Sequence, residues 1–217
     1  MCGGITIETV NCNQISEMAR YGSSMQRSTP VVLNLIIINA LVFVAQMVLD
    51  KTMGFTNAIA IYPYDSGLFE PYQLVTHMFA HGGFFHILFN MYALWMFGSV
   101  LERLWGPKRF LIFYLACGLA AAVAQMFTGA PAIGASGAVM GLLAAFAYLF
   151  PNTEFFILPF PFPIKAKYLV AIYAAIDLFG GLHGSADNIA HFAHLGGMVM
   201  GFILVIIWGK TNKKTFY

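Results

Sequence analysis

Long apolar blocks follow one another along the chain, separated by polar connections. A membrane-spanning helix needs about 20 mostly apolar residues, and six blocks reach or approach that length. The fourth and fifth blocks are short for a complete crossing, which is typical of helices that end inside the protein or line a water-filled cavity. The blocks cover residues 31–49, 84–104, 110–127, 136–150, 168–182 and 192–208. The pattern predicts an all-α integral membrane protein, built as a six-transmembrane-helix bundle.

The same pattern predicts the domain organisation. The first 28 residues are polar and lack the apolar core of a signal peptide. We expect a cytoplasmic N-terminal tail over residues 1–28, one membrane domain over residues 29–210 and a short cytoplasmic C-terminal tail over residues 211–217.

Charged residues in the connections predict the orientation. Basic side chains gather in the N-terminal tail, in the second and fourth connections and after the sixth block, whereas the other connections contain Lys51 and several acids. The positive-inside rule then places both termini in the cytoplasm. Because the N-terminal tail lacks the Arg-rich, acid-poor composition of a mitochondrial transit peptide, we expect a prokaryotic plasma membrane. The basic residues are Arg20, Arg27, Arg103, Lys108, Arg109, Lys165, Lys167, Lys210, Lys213 and Lys214.

Composition agrees with a membrane protein. The chain is 59% hydrophobic and 9% charged, against about 25% charged residues in an average soluble domain. A net charge of only +2 argues against a nucleic-acid partner. The three cysteines, Cys2, Cys12 and Cys117, have no paired spacing, so we expect free thiols. The long connection over residues 50–83 is rich in aromatic residues, which favours a functional or interfacial role.

Polar groups inside the apolar blocks are the candidates for chemistry, because such groups are costly in a bilayer. His86 and Asn90 are four residues apart and share one face of the second block. The segment Gly134-Ala-Ser136-Gly opens the fourth block, and His194 lies at the start of the sixth. Three separate blocks therefore place polar groups at a similar depth on the same side of the membrane.

Glycines indicate how two of these blocks meet. Gly137 and Gly141 in the fourth block, and Gly197 and Gly201 in the sixth, form small-xxx-small patterns that let helix backbones approach closely. Packing of these faces would bring Ser136 near a histidine. A serine hydroxyl needs a base to become a nucleophile, and histidine is the usual base. Backbone N–H groups at the start of the fourth helix favour developing negative charge, and side-chain donors could complete an oxyanion site.

The motifs, taken in this order, resemble the rhomboid family of intramembrane serine proteases over residues 72–201. GASG at 134–137 matches the family's GxSG, and AHLGG at 193–197 matches the segment of the catalytic histidine. HILFN at 86–90 matches the HxxxN pair, and THMFAHG at 76–82 matches the segment before it. Glu102 and Arg103 match a structural pair at the end of the second span.

The resemblance implies an endopeptidase with a Ser136–His194 dyad and no third acid. It also implies an oxyanion site made by the Ser136 amide, His86 and Asn90. Substrates would be single-span transmembrane proteins that are cut near the outer membrane face. The fifth block would be a lateral gate, and neither Asp177 nor Asp187 has a spacing that assigns it a role.

Four small or flexible residues are expected to support the site. Gly134, Gly137 and Gly197 belong to the matched motifs, and Gly137 and Gly197 also belong to the close-packed faces. Met140 stands where some members of the family carry an aromatic ring that stacks on the catalytic histidine. A thioether can still pack against an imidazole ring.

Three other functions would leave different features in the sequence. A catalytically inactive relative that binds membrane clients would be marked by loss of the serine or the histidine, and both are present. A channel or transporter would be expected to show inverted repeats or paired broken helices. Metal-binding histidines usually come with further ligands and second-shell acids. The sequence has no HExxH motif and its thiols are remote from the histidines, so we expect no metal and no cofactor. We interpret His77 and His81 as loop-shaping residues and His191 as a structural one.

Overall fold

Apolar helices dominate the computed structural model, which describes residues 29–156, 162–183 and 189–211. The helices are α1 (Pro30–Met53), α2 (Phe55–Ile59), α3 (Gln73–Thr76), α4 (Phe84–Ala93), α5 (Ser99–Trp105), α6 (Pro107–Met126), α7 (Ser136–Leu149), α8 (Ala166–His183) and α9 (His191–Thr211). A π-helical turn, Leu94–Gly98, joins α4 to α5 so that Phe84–Trp105 forms one continuous stretch. A 3-10 turn, His77–Phe79, follows α3.

The predicted class, an all-α integral membrane protein, is confirmed. Among the described residues, four stretches are long and apolar enough to cross a membrane: Pro30–Met53, Phe84–Trp105, Pro107–Met126 and His191–Trp208. α7 is apolar but has only 14 residues, a rise of about 21 Å against about 30 Å of hydrocarbon. The count of six complete crossings stays a prediction.

The start of α1 is held by a carboxylate from α5. Glu102 is buried, and its two oxygens accept hydrogen bonds from the backbone N–H groups of Val31 at 3.0 Å and Val32 at 2.8 Å. The first N–H groups of a helix have no partner within the helix, and negative charge there is stabilised by the helix dipole. Pro30 adds a residue that needs no partner at this position.

Helix α9 packs most extensively against α7 and α6. The contact with α7 is made by glycines. A Cβ atom on Gly197 would collide with the carbonyl oxygen of Gly137, and one on Gly201 would collide with that of Gly141. Gly137 in turn faces the methyl group of Ala121 on α6. The small residues therefore allow three helix backbones to meet with little side-chain volume between them.

A short β-hairpin connects α7 to α8, and the sequence pattern did not predict it. Strand β1 (Glu154–Phe156) pairs antiparallel with β2 (Pro163–Lys165). Phe155 packs its ring against Phe97 and Phe146, with ring centroids 5.6 Å and 5.7 Å apart. The hairpin thus closes the end of the bundle at which α7 finishes.

Candidate active site

Ser136 is the first residue of α7 and follows a strained turn. Gly134 has a φ of 131°, a backbone conformation that residues with a side chain rarely adopt. A Cβ atom there would lie 2.9 Å from His86 Nε2 and 3.5 Å from Ser136 Oγ. Gly134 therefore leaves open the space in front of the serine hydroxyl and the histidine ring.

The long connection before α4 shapes this turn. The N–H of Gly134 donates a hydrogen bond to the carbonyl oxygen of His77 at 2.8 Å, and Ile61 and Ala132 exchange two backbone hydrogen bonds of 2.9 Å. The His77 ring is buried, and its Nδ1 lies 2.8 Å from the Gln73 carbonyl oxygen. Burial lowers the pKa of His77 from 6.5 to about 4. The ring is therefore uncharged at neutral pH and serves the shape of the loop.

His194 occupies the first turn of α9 and faces the serine. Its Nε2 lies 2.8 Å from Ser136 Oγ, a hydrogen-bond distance across two helices that are 58 residues apart in sequence. The glycine contact makes this distance possible, because a side chain at Gly197 would push α9 away from α7. A serine hydroxyl that donates to an imidazole nitrogen has the geometry of a nucleophile and its general base.

His86 lies beside this pair on α4. The N–H of Gly82 donates a hydrogen bond of 3.2 Å to His86 Nδ1, so the proton of the neutral ring belongs on Nε2. That Nε2 is the atom that approaches Gly134 in front of Ser136. His86 therefore presents a hydrogen-bond donor toward the serine.

Asn90 lies one turn further along α4 and is buried. Its Nδ2 donates a hydrogen bond of 2.9 Å to the backbone carbonyl oxygen of His86. One N–H of the amide is thus engaged with its own helix, and the second N–H is left to donate elsewhere.

Met140, the remaining candidate, is half-buried and packs at the edge of the hydrophobic core.

The structure adds a carboxylate that the sequence left without a role. Asp177 on α8 is 3% exposed, and its Oδ1 lies 3.0 Å from His194 Nδ1 and 2.9 Å from His191 Nδ1. The resemblance implied a dyad with no third acid, whereas the structure places an acid in contact with His194. A signal was available, since an ionisable residue inside an apolar helix is by default a functional hypothesis.

His81 contributes a second buried imidazole near the site. Its ring meets the ring of His86 edge-on, with centroids 5.0 Å apart. Burial, and to a smaller extent the neighbouring His86, lower the pKa of His81 from 6.5 to about 4. Gln46 fixes the backbone here, because its side chain accepts from the His81 N–H at 2.9 Å and donates to the His81 carbonyl at 3.2 Å.

Within the described ranges, no group of three or more His, Cys, Asp or Glu residues could hold a metal ion. Cys117 is a buried free thiol against Gly141. Cys2 and Cys12, like the predicted N-terminal tail over residues 1–28 and all but the first residue of the predicted C-terminal tail over residues 211–217, lie outside the described residues.

Comparison with known proteins agrees with these motifs. A family model described as Rhomboid domain matches residues 68–211. The chain is 34% identical over 149 residues to the rhomboid protease GluP of Bacillus subtilis, and the matched region covers 68% of this chain and 28% of that protein. It is 31% identical over 196 residues to the mouse presenilin-associated rhomboid-like protein, mitochondrial, which covers 87% of this chain and 51% of that protein.

A yeast relative shows a similar match. The chain is 33% identical over 151 residues to rhomboid protein 1, mitochondrial, of Saccharomyces cerevisiae, with 65% of this chain and 43% of that protein covered. Across these relatives and one from Arabidopsis thaliana, the matched region spans between 28% and 60% of the relative's length.

The expected location, a prokaryotic plasma membrane, is wrong. Relatives from yeast, mouse and Arabidopsis that match over 65–87% of the chain are named as mitochondrial proteins. The expectation rested on the composition of residues 1–28, which concerns targeting and not folding. Apolar helices of this length suit any bilayer about 30 Å thick, so the membrane domain itself does not identify the organelle.

Proposed function

The chain belongs to the rhomboid family, and on that premise we propose that it is an intramembrane serine endopeptidase that cuts single-span membrane proteins. Ser136 is the nucleophile and His194 is the general base. The observation that carries this proposal is the 2.8 Å separation of His194 Nε2 and Ser136 Oγ. Two polar side chains from separate helices meet there beside a glycine that clears the space for a substrate carbonyl.

The reaction begins when Ser136 Oγ attacks the carbonyl carbon of the scissile peptide bond. The hydroxyl proton passes to His194 Nε2 as the new C–O bond forms, and the carbonyl electron pair moves onto the oxygen. The negative charge that develops there needs donors already in place. The Ser136 N–H at the start of α7, His86 Nε2–H and the second N–H of Asn90 are the groups that we assign to this task.

The tetrahedral intermediate then collapses. The C–N bond breaks, and the leaving amine takes the proton from His194 Nε2, which leaves an acyl ester on Ser136. A water molecule attacks the ester and gives one proton to Nε2. That proton returns to Ser136 Oγ as the acid product leaves, so that both side chains regain their starting states.

The short length of α7 agrees with a membrane-embedded substrate. α7 has 14 residues, so its rise of about 21 Å puts one of its ends within the hydrocarbon layer of about 30 Å. A transmembrane helix in lipid keeps its carbonyl groups in internal hydrogen bonds, and it must unwind locally before Oγ reaches one. Helix-weakening residues in the substrate would lower that cost. The names of the yeast, mouse and Arabidopsis relatives support a mitochondrial membrane as the location.

A second candidate function is binding of membrane clients without cleavage. The contact between Ser136 and His194 favours the protease, because a binding protein has no need for a hydroxyl held against a partly buried imidazole.

The two functions are separated by incubating the detergent-purified protein with a panel of single-span substrates, wild type beside Ser136→Ala. We expect the wild type to produce new termini within the transmembrane segment of at least one substrate, and the variant to produce none. Equal cleavage by both proteins would remove Ser136 from the reaction. Stable association of both proteins with the substrates, with no cleavage by the wild type, would favour the client-binding function.

A further inference from the structure

A buried carboxylate lies directly behind the histidine that faces Ser136. Asp177 is one of three buried residues on α8, with Ala166 and Leu169, and it is the only ionisable one of the three. Burial of a carboxylate is costly unless the charge is paired and hydrogen-bonded. Both histidines in contact with it use the same oxygen, and Oδ2 has no hydrogen-bond partner among the residues that the structure describes.

The contact determines where the protons lie on His194. An ionised carboxylate can only accept hydrogen bonds, so the 3.0 Å contact requires a proton on His194 Nδ1. In the neutral ring, Nε2 then carries a lone pair and no proton. That lone pair faces the Ser136 hydroxyl at 2.8 Å, which is the arrangement that a general base needs. The opposite tautomer would set an N–H against the hydroxyl.

We propose that Asp177 is a positioning residue for the proposed hydrolysis. Its carboxylate holds the His194 ring with Nδ1 protonated and Nε2 directed at Ser136. It stabilises the imidazolium that forms when the serine proton arrives. The hydrogen-bonded series runs from the Asp177 carboxylate on α8 through the His194 imidazole on α9 to the Ser136 hydroxyl on α7. This inference rests on the proposed function.

His191 provides an internal comparison for this assignment. Its Nδ1 donates to the same Asp177 oxygen at 2.9 Å, but its ring lies against Gly180 on α8. Of the two histidines that contact the carboxylate, His194 faces Ser136 and His191 faces α8, the helix that carries Asp177. If Asp177 only attached α8 to α9, both contacts would contribute to stability and neither would affect the chemical step.

The decisive variant is Asp177→Asn, which keeps the size of the side chain and removes its charge. We expect kcat to fall by about 10²- to 10⁴-fold, because the amide can stabilise the wrong tautomer and does not balance the imidazolium charge. KM should change by less than about threefold, since Asp177 lies behind His194 and does not touch substrate. The matched control is Leu169→Ala, which weakens the packing of the same helix and leaves the carboxylate in place. Its kcat should stay within about threefold of the wild type.

A spectroscopic measurement tests the inference without relying on the fold of the Asp177 variant. In protein labelled with ¹⁵N-histidine, the His194 Nδ1 proton should appear as a low-field exchangeable signal. It should persist in Ser136→Ala and in His191→Gln, and disappear in His194→Ala. Absence of this signal from otherwise folded wild-type protein would overturn the proposed hydrogen bond.

The outcomes separate the inference from the proposed function. If Ser136→Ala is inactive and folded Asp177→Asn retains the wild-type kcat, Asp177 is not a positioning residue and the protease assignment stands. If Ser136→Ala is as active as the wild type, the proposed function itself fails. An equal loss of kcat in Leu169→Ala and Asp177→Asn would assign Asp177 to helix packing alone, and the inference would again fail.

Discussion

The two ends of the helical bundle differ in what they bury. At the end where α7 begins, the buried side chains include a carboxylate, amides and imidazoles: Gln46, His77, His81, Asn90, Asp177 and His191. At the opposite end, the contacts are between aromatic rings, such as Trp105 with Phe113 and Trp208 at 4.9 Å and 5.5 Å between centroids. Arg109 covers the Trp208 ring at 4.3 Å.

We expect residues at the polar end to affect mainly the rate of the reaction and residues at the aromatic end to affect mainly the stability of the fold. Buried polar groups cost free energy unless they are fully hydrogen-bonded. At the end that holds Ser136, the imidazole nitrogens of His81 and Asp177 Oδ2 have no partner among the described residues, and the uncharged hydroxyls of Ser99 on α5 and Tyr114 on α6 also have none. The aromatic end carries one buried carboxylate of the described part, Glu102, and both of its oxygens are satisfied. Substitutions at the two ends should therefore have different consequences.

The largest expected effect is at the polar end, in His194→Ala. Without the base, the serine proton has no acceptor, and we expect kcat to fall by at least about 10⁴-fold, as when a member of a catalytic unit is removed. The midpoint of thermal unfolding should stay near that of the wild type. Cleavage assays on purified protein measure the first quantity and a thermal scan in detergent the second. Retention of more than a tenth of the wild-type kcat would exclude His194 as the base.

The next effect concerns the glycine contact between α7 and α9, which brings Ser136 and His194 together. In Gly197→Ala, the new methyl group meets the carbonyl oxygen of Gly137, so α9 must move away from α7. A displacement of about 1 Å at reacting groups can cost about 10²-fold in rate, and we expect a loss of that size together with a lower unfolding midpoint. Gly83→Ala is the control, because a Cβ atom there has no neighbour within 4 Å. Equal activity of both variants would show that the close approach is dispensable.

A smaller loss is expected in Asn90→Ala. Removal of one oxyanion donor should lower kcat by about 10- to 1000-fold while KM changes little. Kinetics with a fixed membrane substrate in detergent measure both constants. A rate equal to that of the wild type would remove Asn90 from the oxyanion site and leave it with its hydrogen bond to the His86 carbonyl.

At the aromatic end, Glu102→Gln should change stability and spare the chemistry. The glutamine amide has one acceptor oxygen, so one of the two charge-assisted hydrogen bonds at the start of α1 becomes a neutral one and the other N–H group faces the NH2 group without an acceptor. We expect unfolding to require about 1–3 kcal/mol less, with kcat unchanged. Glu154→Gln, at an exposed position of β1, is the control for loss of a carboxylate. A large fall in kcat with unchanged stability would contradict the separation of the two ends.

The smallest effect is on pH dependence. The pKa of His81 is about 4 in the folded protein against 6.5 when unfolded, so the unfolded chain binds the extra proton between these values. Stability should therefore decline as pH falls from about 6.5 to 4, and remain level above that window. His81→Phe should lessen this decline. An identical acid dependence in the wild type and the variant, followed by thermal scans, would argue against a buried neutral His81.

Local patterns predicted much of the site. The i,i+4 spacing of His86 with Asn90 and of Gly197 with Gly201 predicted shared helix faces, and the resemblance of GASG to the rhomboid GxSG motif indicated Ser136. The contact of Asp177 with His194 depends on how α8 packs against α9, which no local pattern contains. The β1–β2 hairpin was missed because strands of three residues leave no periodic signal. The predicted location was wrong because it rested on the composition of residues 1–28, and the bilayer-spanning residues do not identify an organelle.

The central claim is that His194 activates Ser136, and a serine-directed covalent probe tests it most directly. Wild-type protein, Ser136→Ala and His194→Ala are treated with a fluorophosphonate in detergent, and the modified peptide is identified by mass spectrometry. We predict a single adduct on Ser136 in the wild type and none in either variant at the same exposure. Labelling of His194→Ala at the wild-type rate, or an adduct on another residue, would contradict the account.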